Sequence, residues 1–148
     1  MFSQKGLLAT AALLSSIVAS GWVAAHGNVT PQPVNTDGLE PIGDWVEENP
    51  YRGNALAIEI GSSAYNQNCA RCHGLEAISG GITPDLRKLN DEAEWGDVAE
   101  SDGWFIQRIR HGAVIQGRVY MPAFEGILSQ EAMWSIRAYL DTRPYSED

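Results

Sequence analysis

Apolar positions change their spacing several times along the 148 residues. Residues 6–20 form a nearly continuous apolar run. From 54 to 70 the pattern becomes helical: Ala55, Ile58 and Tyr65, with the small Ala57, Gly61 and Ala64, recur at intervals of three and four. A second helix is predicted over 102–111, with Asp102 as N-cap, Phe105, Ile106 and Ile109 as its apolar stripe and Gly112 as its C-cap. A third is predicted over 130–142. Ser129 caps it, Ala132, Met133, Ile136, Tyr139 and Leu140 form its buried stripe, and Pro144 stops it. Residues 74–101 are loop-rich, with Asp91, Glu92, Glu94, Asp97 and Glu100 around Trp95, and a short helix is expected there. No convincing strand pair is visible, so the expected fold class is all-α.

Residues 26–53 break every period. Pro31, Pro33, Pro41 and Pro50 alternate with Gly27, Gly38, Gly43 and Gly53, which forbids long helices and predicts an irregular N-terminal arm. Trp45 and Tyr51 are the aromatic handles by which such an arm can be pinned. The expected organisation is a leader over 1–25, the arm over 26–53, one domain over 54–144 and a polar tail over 145–148. There is no internal repeat.

The candidate chemistry lies where the first helical pattern ends. Cys69-Ala70-Arg71-Cys72-His73 is a C-x-x-C-H sequence and contains both cysteines of the chain. This spacing is the attachment signature of c-type haem. Two thiols three residues apart can add to the two vinyl groups on one edge of a porphyrin, and the following imidazole can ligate iron. The competing readings are weaker. A Cys69–Cys72 disulfide would close too small a loop to stabilise much. A thioredoxin-like pair would require a βαβ setting, and the flanks are helical. A structural zinc site needs four ligands, and His26 and His111 are isolated.

One covalent haem c leaves a sixth iron position to fill. Met121 is the best candidate, because the residue before Pro122 is held extended and its thioether raises haem potential. Met133 lies on an apolar stripe and is assigned to packing. His111, beside Arg108 and Arg110, is assigned to the surface. A ligating imidazole also needs an acceptor for its second N–H. The carbonyl of Pro84, in Ile82-Thr83-Pro84-Asp85-Leu86, can supply one.

Export and charge fit the motif. Lys5, the apolar run and the small residues Val23 and Ala25 make 1–25 a secretory signal peptide with cleavage before His26. Covalent haem attachment in bacteria takes place outside the cytoplasm, so the expected address is the periplasm. The alternative for this segment is an uncleaved anchor tethering the chain to a larger complex. The formal charge is −9, and removal of Lys5 makes it more negative. Such a chain is a poor ligand for nucleic acid or an anionic membrane, and its expected partner carries a basic patch.

The arrangement over 54–142 resembles a class I cytochrome c. Gly61 and Tyr65, C-A-R-C-H, Thr83-Pro84-Asp85-Leu86, Met121-Pro122 and Tyr139-Leu140 carry the resemblance. The segments His26–Pro33, Asn49-Pro50-Tyr51-Arg52 and Ser63–Ala77 are more specifically similar to the soluble periplasmic cytochromes (PedF type) of quinoprotein, PQQ-dependent, alcohol dehydrogenase systems. The resemblance implies a class I cytochrome c fold in which the first and last helices cross near Gly61. It implies Cys69, Cys72 and His73 as haem-binding residues, Met121 as the second axial ligand, Pro84 as the carbonyl partner and Trp104 as a propionate donor. The implied function is one-electron transfer without catalysis. A PQQ-dependent alcohol dehydrogenase is the implied donor, a downstream oxidase or cytochrome the acceptor, and a monomer the expected state. The competing class is a haem enzyme or gas sensor with an open sixth position and His111 as distal acid–base group.

Overall fold

The computed structural model describes residues 30–145. The expected signal peptide and the start of the arm lie outside the described residues. The elements are α1 (Ala55–Asn68), α2 (Ala70–His73), 3-10 turns at Leu75–Ala77 and Leu86–Asn90, α3 (Glu92–Trp95), α4 (Val98–His111), β1 (Ala113–Ile115), β2 (Arg118–Met121) and α5 (Gln130–Leu140). The fold is mostly helical, with one small antiparallel hairpin.

The crossing of α1 and α5 is the most extensive contact between elements. It is possible because Gly61 has no side chain: a Cβ there would lie 1.8 Å from the Ser135 carbonyl oxygen. Tyr65 and Tyr139 pack beside the crossing with ring centroids 5.3 Å apart. Ala57, Ala64, Ala132, Met133, Ile136 and Leu140 fill the rest of this seam. Phe105, Ile106 and Ile109 of α4 extend the core, with Phe105 6.1 Å from the Trp134 ring.

Two expectations need correction. First, α4 starts one turn earlier, with Asp97 as its cap accepting from the Glu100 amide at 2.8 Å. Asp102 is therefore inside the helix, and it is buried. Its partner is Arg137, whose Nε lies 2.8 Å from Asp102 Oδ1 and whose side chain is 0 % exposed. Arg137 also donates to Leu89 O at 3.2 Å, Ser101 Oγ at 2.9 Å and Asn90 Oδ1 at 3.0 Å, and pairs with Asp141. Second, residues 113–121 form a strand pair. The two-residue Gln116-Gly117 turn has positive φ at both positions (51° and 76°), as a type I′ hairpin turn requires.

The arm has no regular structure between 30 and 53, yet four of its amides donate to side chains of the helices. Gln32 N donates to Asn68 Oδ1 at 2.7 Å, Ile42 N to Glu131 Oε1 at 2.9 Å and Val46 N to Gln130 Oε1 at 2.8 Å. Asn49 N reaches the buried Asp102 at 2.8 Å, and Arg52 bridges Asp102 and Asp141 at 2.6 and 2.5 Å. Tyr51 is buried and donates to Glu40 O, while Trp45 is largely exposed beneath the Arg110 guanidinium, 3.9 Å from its ring.

Gly61→Ala should force α1 and α5 apart, because backbone rather than a movable side chain blocks the new methyl. A loss of ~3 kcal/mol or more in denaturant unfolding is expected. Gly43→Ala, where nothing lies within 4 Å of the added Cβ, should change stability by less than ~0.5 kcal/mol.

Candidate haem site

The end of α1 delivers the C-x-x-C-H residues. Tyr65 O accepts from the Cys69 amide at 2.8 Å, and the chain re-enters a single helical turn, α2, that carries Cys72 and His73. Cys69 is buried against the core and Cys72 is exposed, and neither is paired in a disulfide. Burial, and then the neighbouring Cys72, push the Cys69 thiol up to about 12, so it stays protonated at neutral pH.

Directly after His73 the chain turns sharply. Gly74 has φ +80°, and a Cβ there would stand 1.9 Å from Ile78 O. Tyr65 Oη donates to Gly74 O at 2.8 Å and fixes this corner to α1. His73 Nδ1 donates to Pro84 O at 3.0 Å. A carbonyl only accepts, so the proton is on Nδ1 and Nε2 keeps its lone pair. Burial lowers the His73 pKa against the opposing pull of that hydrogen bond. The imidazole is thus neutral at pH 7, the form that binds a metal.

The loop carrying Pro84 is tied on both sides. Thr83 Oγ1 donates to Cys72 O at 2.6 Å, and Ser79 Oγ donates to Thr83 O. Asp85 caps the following turn through the Arg87 amide at 3.0 Å and pairs with the Arg87 guanidinium at 2.7 Å. That pairing holds its carboxyl below the ordinary value of 3.8. The Thr83 contact was not evident from the sequence; a hydroxyl residue immediately before the candidate carbonyl is the only signal of it.

Met121 ends β2, is half-buried and packs on the edge of the core. The sequence suggested a loop here; the hairpin gives it a firmer base. Gly112 holds the other side, since a Cβ there would lie 2.4 Å from Met121 O. Met133 is fully buried in α5. His111 is largely exposed, with Nδ1 3.6 Å from Glu125 Oε2. Trp104 is on the surface of α4, with its ring 5.5 Å from Trp95 and 5.2 Å from the Arg108 guanidinium. Among the described residues no group of three or more His, Cys, Asp or Glu side chains could hold a metal ion by itself. The donor set is two thiols, one lone-pair imidazole and one thioether. It suits an iron porphyrin attached through its vinyl groups and does not suit a bare cation. The segments carrying these donors also display large apolar side chains, Leu75, Ile78 and Ile82 in one loop and Val114 and Val119 in the hairpin, as a flat apolar ring system requires. No helix among the described residues is long and apolar enough to cross a membrane.

Comparison with known proteins agrees with this chemistry. The family model described as cytochrome c oxidase, cbb3-type, subunit III matches residues 56–140. Cytochrome c550 of Pseudomonas aeruginosa is 55 % identical over 93 % of this chain and 92 % of its own length. The quinohemoprotein alcohol dehydrogenase ADH-IIG of Pseudomonas putida is 35 % identical over 62 % of this chain but only 11 % of its own length. The cbb3-type cytochrome c oxidase subunit FixP of Rhizobium meliloti is 35 % identical over 93 % of this chain and 46 % of its own. No solved structure matches significantly. With a C-x-x-C-H pair at the end of its first helix and this family match, the chain belongs to the cytochrome c family, carries covalently bound haem c and is an electron-transfer protein.

Proposed function

We propose that the protein is a periplasmic one-electron carrier that accepts electrons from a PQQ-dependent alcohol dehydrogenase and passes them to an oxidase or cytochrome of the respiratory chain. In this reading Cys69 and Cys72 would form the thioethers, His73 Nε2 and the Met121 thioether would hold the iron, and the Trp104 indole N–H would donate to a propionate. The bound haem supplies the ferrous–ferric couple. The chain supplies everything that tunes it. Pro84 O holds the His73 ring in one tautomer and one orientation, which raises its basicity as a ligand. The Thr83–Cys72 and Tyr65–Gly74 hydrogen bonds keep that corner from moving between redox states, and a rigid site lowers the reorganisation needed for each transfer.

The observation that carries the reading is the His73–Pro84 hydrogen bond immediately beside the thiol pair. The choice of donor is supported by the dehydrogenase relative, in which a domain like this one occupies part of the same polypeptide as the enzyme. It is also supported by the residue-level likeness of 63–77 to cytochromes of such systems. The periplasmic address is supported by the apolar run and small-residue cleavage pattern expected of a leader over 1–25.

Met121→Ala should abolish the ferric charge-transfer band at the red end of the spectrum, lower the potential and open the iron to carbon monoxide. Met133→Leu should leave the spectrum unchanged and cost less than about 1.5 kcal/mol. An unaltered spectrum in Met121→Ala would falsify the ligand assignment. For the donor, stopped-flow mixing with an alcohol-reduced PQQ-dependent dehydrogenase should reduce the haem in a bimolecular phase. Reduction by other periplasmic dehydrogenases alone would keep the carrier and remove this donor.

A further inference from the structure

Three non-glycine residues among those described have backbone in the left-handed region. Gln116 belongs to the hairpin turn, which requires it. The other two, Glu76 and Ala77, are adjacent, with φ of 57° and 64°, and follow closely on His73. For a residue with a Cβ this region is disfavoured roughly tenfold against the right-handed one, and here two such residues occur in succession. Backbone of this kind persists only where its surroundings over-determine it. The local sequence does not do so, since neither residue is Gly, Asn or Asp.

The constraint comes from just beyond α5. The Arg143 guanidinium pairs with the Glu76 carboxylate, 67 positions away in the chain. Arg143 is itself held on three sides. Its Nε donates to Thr142 Oγ1 at 3.1 Å, its guanidinium lies 4.9 Å from the centre of the Tyr139 ring, and its carbonyl accepts from Asn90 Nδ2 at 2.9 Å. Asn90 in turn accepts from Arg137 at 3.0 Å, so the strap is rooted in the buried ion cluster. An exposed ion pair adds little stability by itself. This one joins a preset guanidinium to a disfavoured turn, so its effect is on conformation. From the turn the contacts run inward. Ala77 is buried, and its backbone amide faces the Tyr65 hydroxyl. That hydroxyl donates to Gly74 O at 2.8 Å, and the Tyr65 ring packs 5.3 Å from that of Tyr139. The Glu76 carboxylate also faces the Tyr139 hydroxyl. Arg143, Glu76, Ala77, Tyr65 and Tyr139 therefore form a closed circuit behind the turn.

We propose that Arg143 is a positioning residue for the haem-side imidazole: it straps the left-handed Glu76–Ala77 turn to the end of α5 and so keeps the Gly74 corner, and His73 before it, in one place. The proposal rests on the reading above in which His73 holds the iron. Without the strap, Glu76 and Ala77 relax towards right-handed backbone and the Ala77 amide leaves the Tyr65 hydroxyl. The Gly74 corner then loses its rigid support, and the His73 ring loosens from Pro84 O, its acceptor at 3.0 Å. An imidazole with a weaker hydrogen bond at its second nitrogen is a poorer donor to ferric iron. The strap thus also holds the potential down.

Hydrogen exchange followed by NMR in the ferrous holo-protein tests this. The probes are the His73 Nδ1–H, the Ala77 amide, and the Ile106 and Ile109 amides of α4, which report opening of the whole fold. Arg143→Ala should speed exchange at His73 and Ala77 about tenfold and leave the α4 amides within about twofold of wild type. Its midpoint potential should rise. Glu76→Gln, which removes only the charge, should act in the same direction. Arg143→Lys keeps the charge without the planar fork, and should stay within about threefold of wild type. Glycine adopts the left-handed region freely, so Ala77→Gly added to Arg143→Ala should bring the His73 rate back to within about threefold of wild type. Wild-type rates at His73 and Ala77 in both Arg143→Ala and Glu76→Gln would overturn the proposal. Equal acceleration at the α4 amides would also overturn it, by making Arg143 a residue of general stability. If the wild-type spectrum shows that His73 does not bind the iron, the ligand reading has failed. An Ala77 amide that still exchanges about tenfold faster in Arg143→Ala then keeps the strap on the turn, and an unchanged one rejects it.

Discussion

The structure depends on a guanidinium that has no access to water. Arg137 in α5 contacts Asp102 of α4, Asp141 at the end of its own helix, and Leu89 and Asn90 of the turn that follows the Pro84 loop. Asp102 in turn accepts from Asn49 and Arg52 of the arm. A cation enclosed this way is costly unless every donor finds an acceptor, and removal of one partner from such a cluster typically costs ~3–5 kcal/mol. Its effect is therefore on arrangement more than on net stability. The helices, the loop and the arm can satisfy Arg137 together in only one relative placement. That placement sets the loop behind His73 and leads the arm past α4.

The helix crossing acts alongside this cluster. Gly61 brings α1 against the α5 backbone, and α1 ends in Cys69. The thiol pair is therefore positioned by packing about two turns upstream, and the imidazole after it by a turn at Gly74 that only glycine accommodates without strain. Thr83 and Pro84 then close the loop onto Cys72 and His73. Each of these links is short and between backbone-anchored groups, so the imidazole has little freedom. A carrier that exchanges single electrons without changing bonds benefits from such rigidity.

Much of this was legible in the sequence, and the gaps have physical causes. Ser129 and Gly112 mark helix ends because their side chains, or lack of one, act locally. Asp102 resembles a cap for the same local reason, but a tertiary partner 35 positions away overrides it. Arg137 lies on the stripe formed by Met133, Ile136 and Leu140, where a helix presents apolar residues to the core. A charge at such a position is a signal of a buried ion pair, and only the fold shows which carboxylates answer it. The hairpin was invisible because its strands are short and exposed on both faces, so residues 113–121 show no alternation of apolar and polar positions. Its turn uses Gln116 where Asn or Asp would have announced it. The arm was readable as irregular, but its attachment was not, because its amides bond to the side chains of distant helices.

The central claim is that the His73 imidazole and the Met121 thioether, 48 positions apart in the chain, enclose a covalently held haem. Proton NMR of the ferrous protein, with methionine methyl groups labelled, measures this directly. A methyl bound to iron above a porphyrin ring is moved far upfield by the ring current. The account predicts one such strongly shifted methyl, assigned to Met121, with the Met133 methyl in its ordinary range. A spectrum in which no methionine methyl is displaced, in protein whose mass includes the haem, would contradict it.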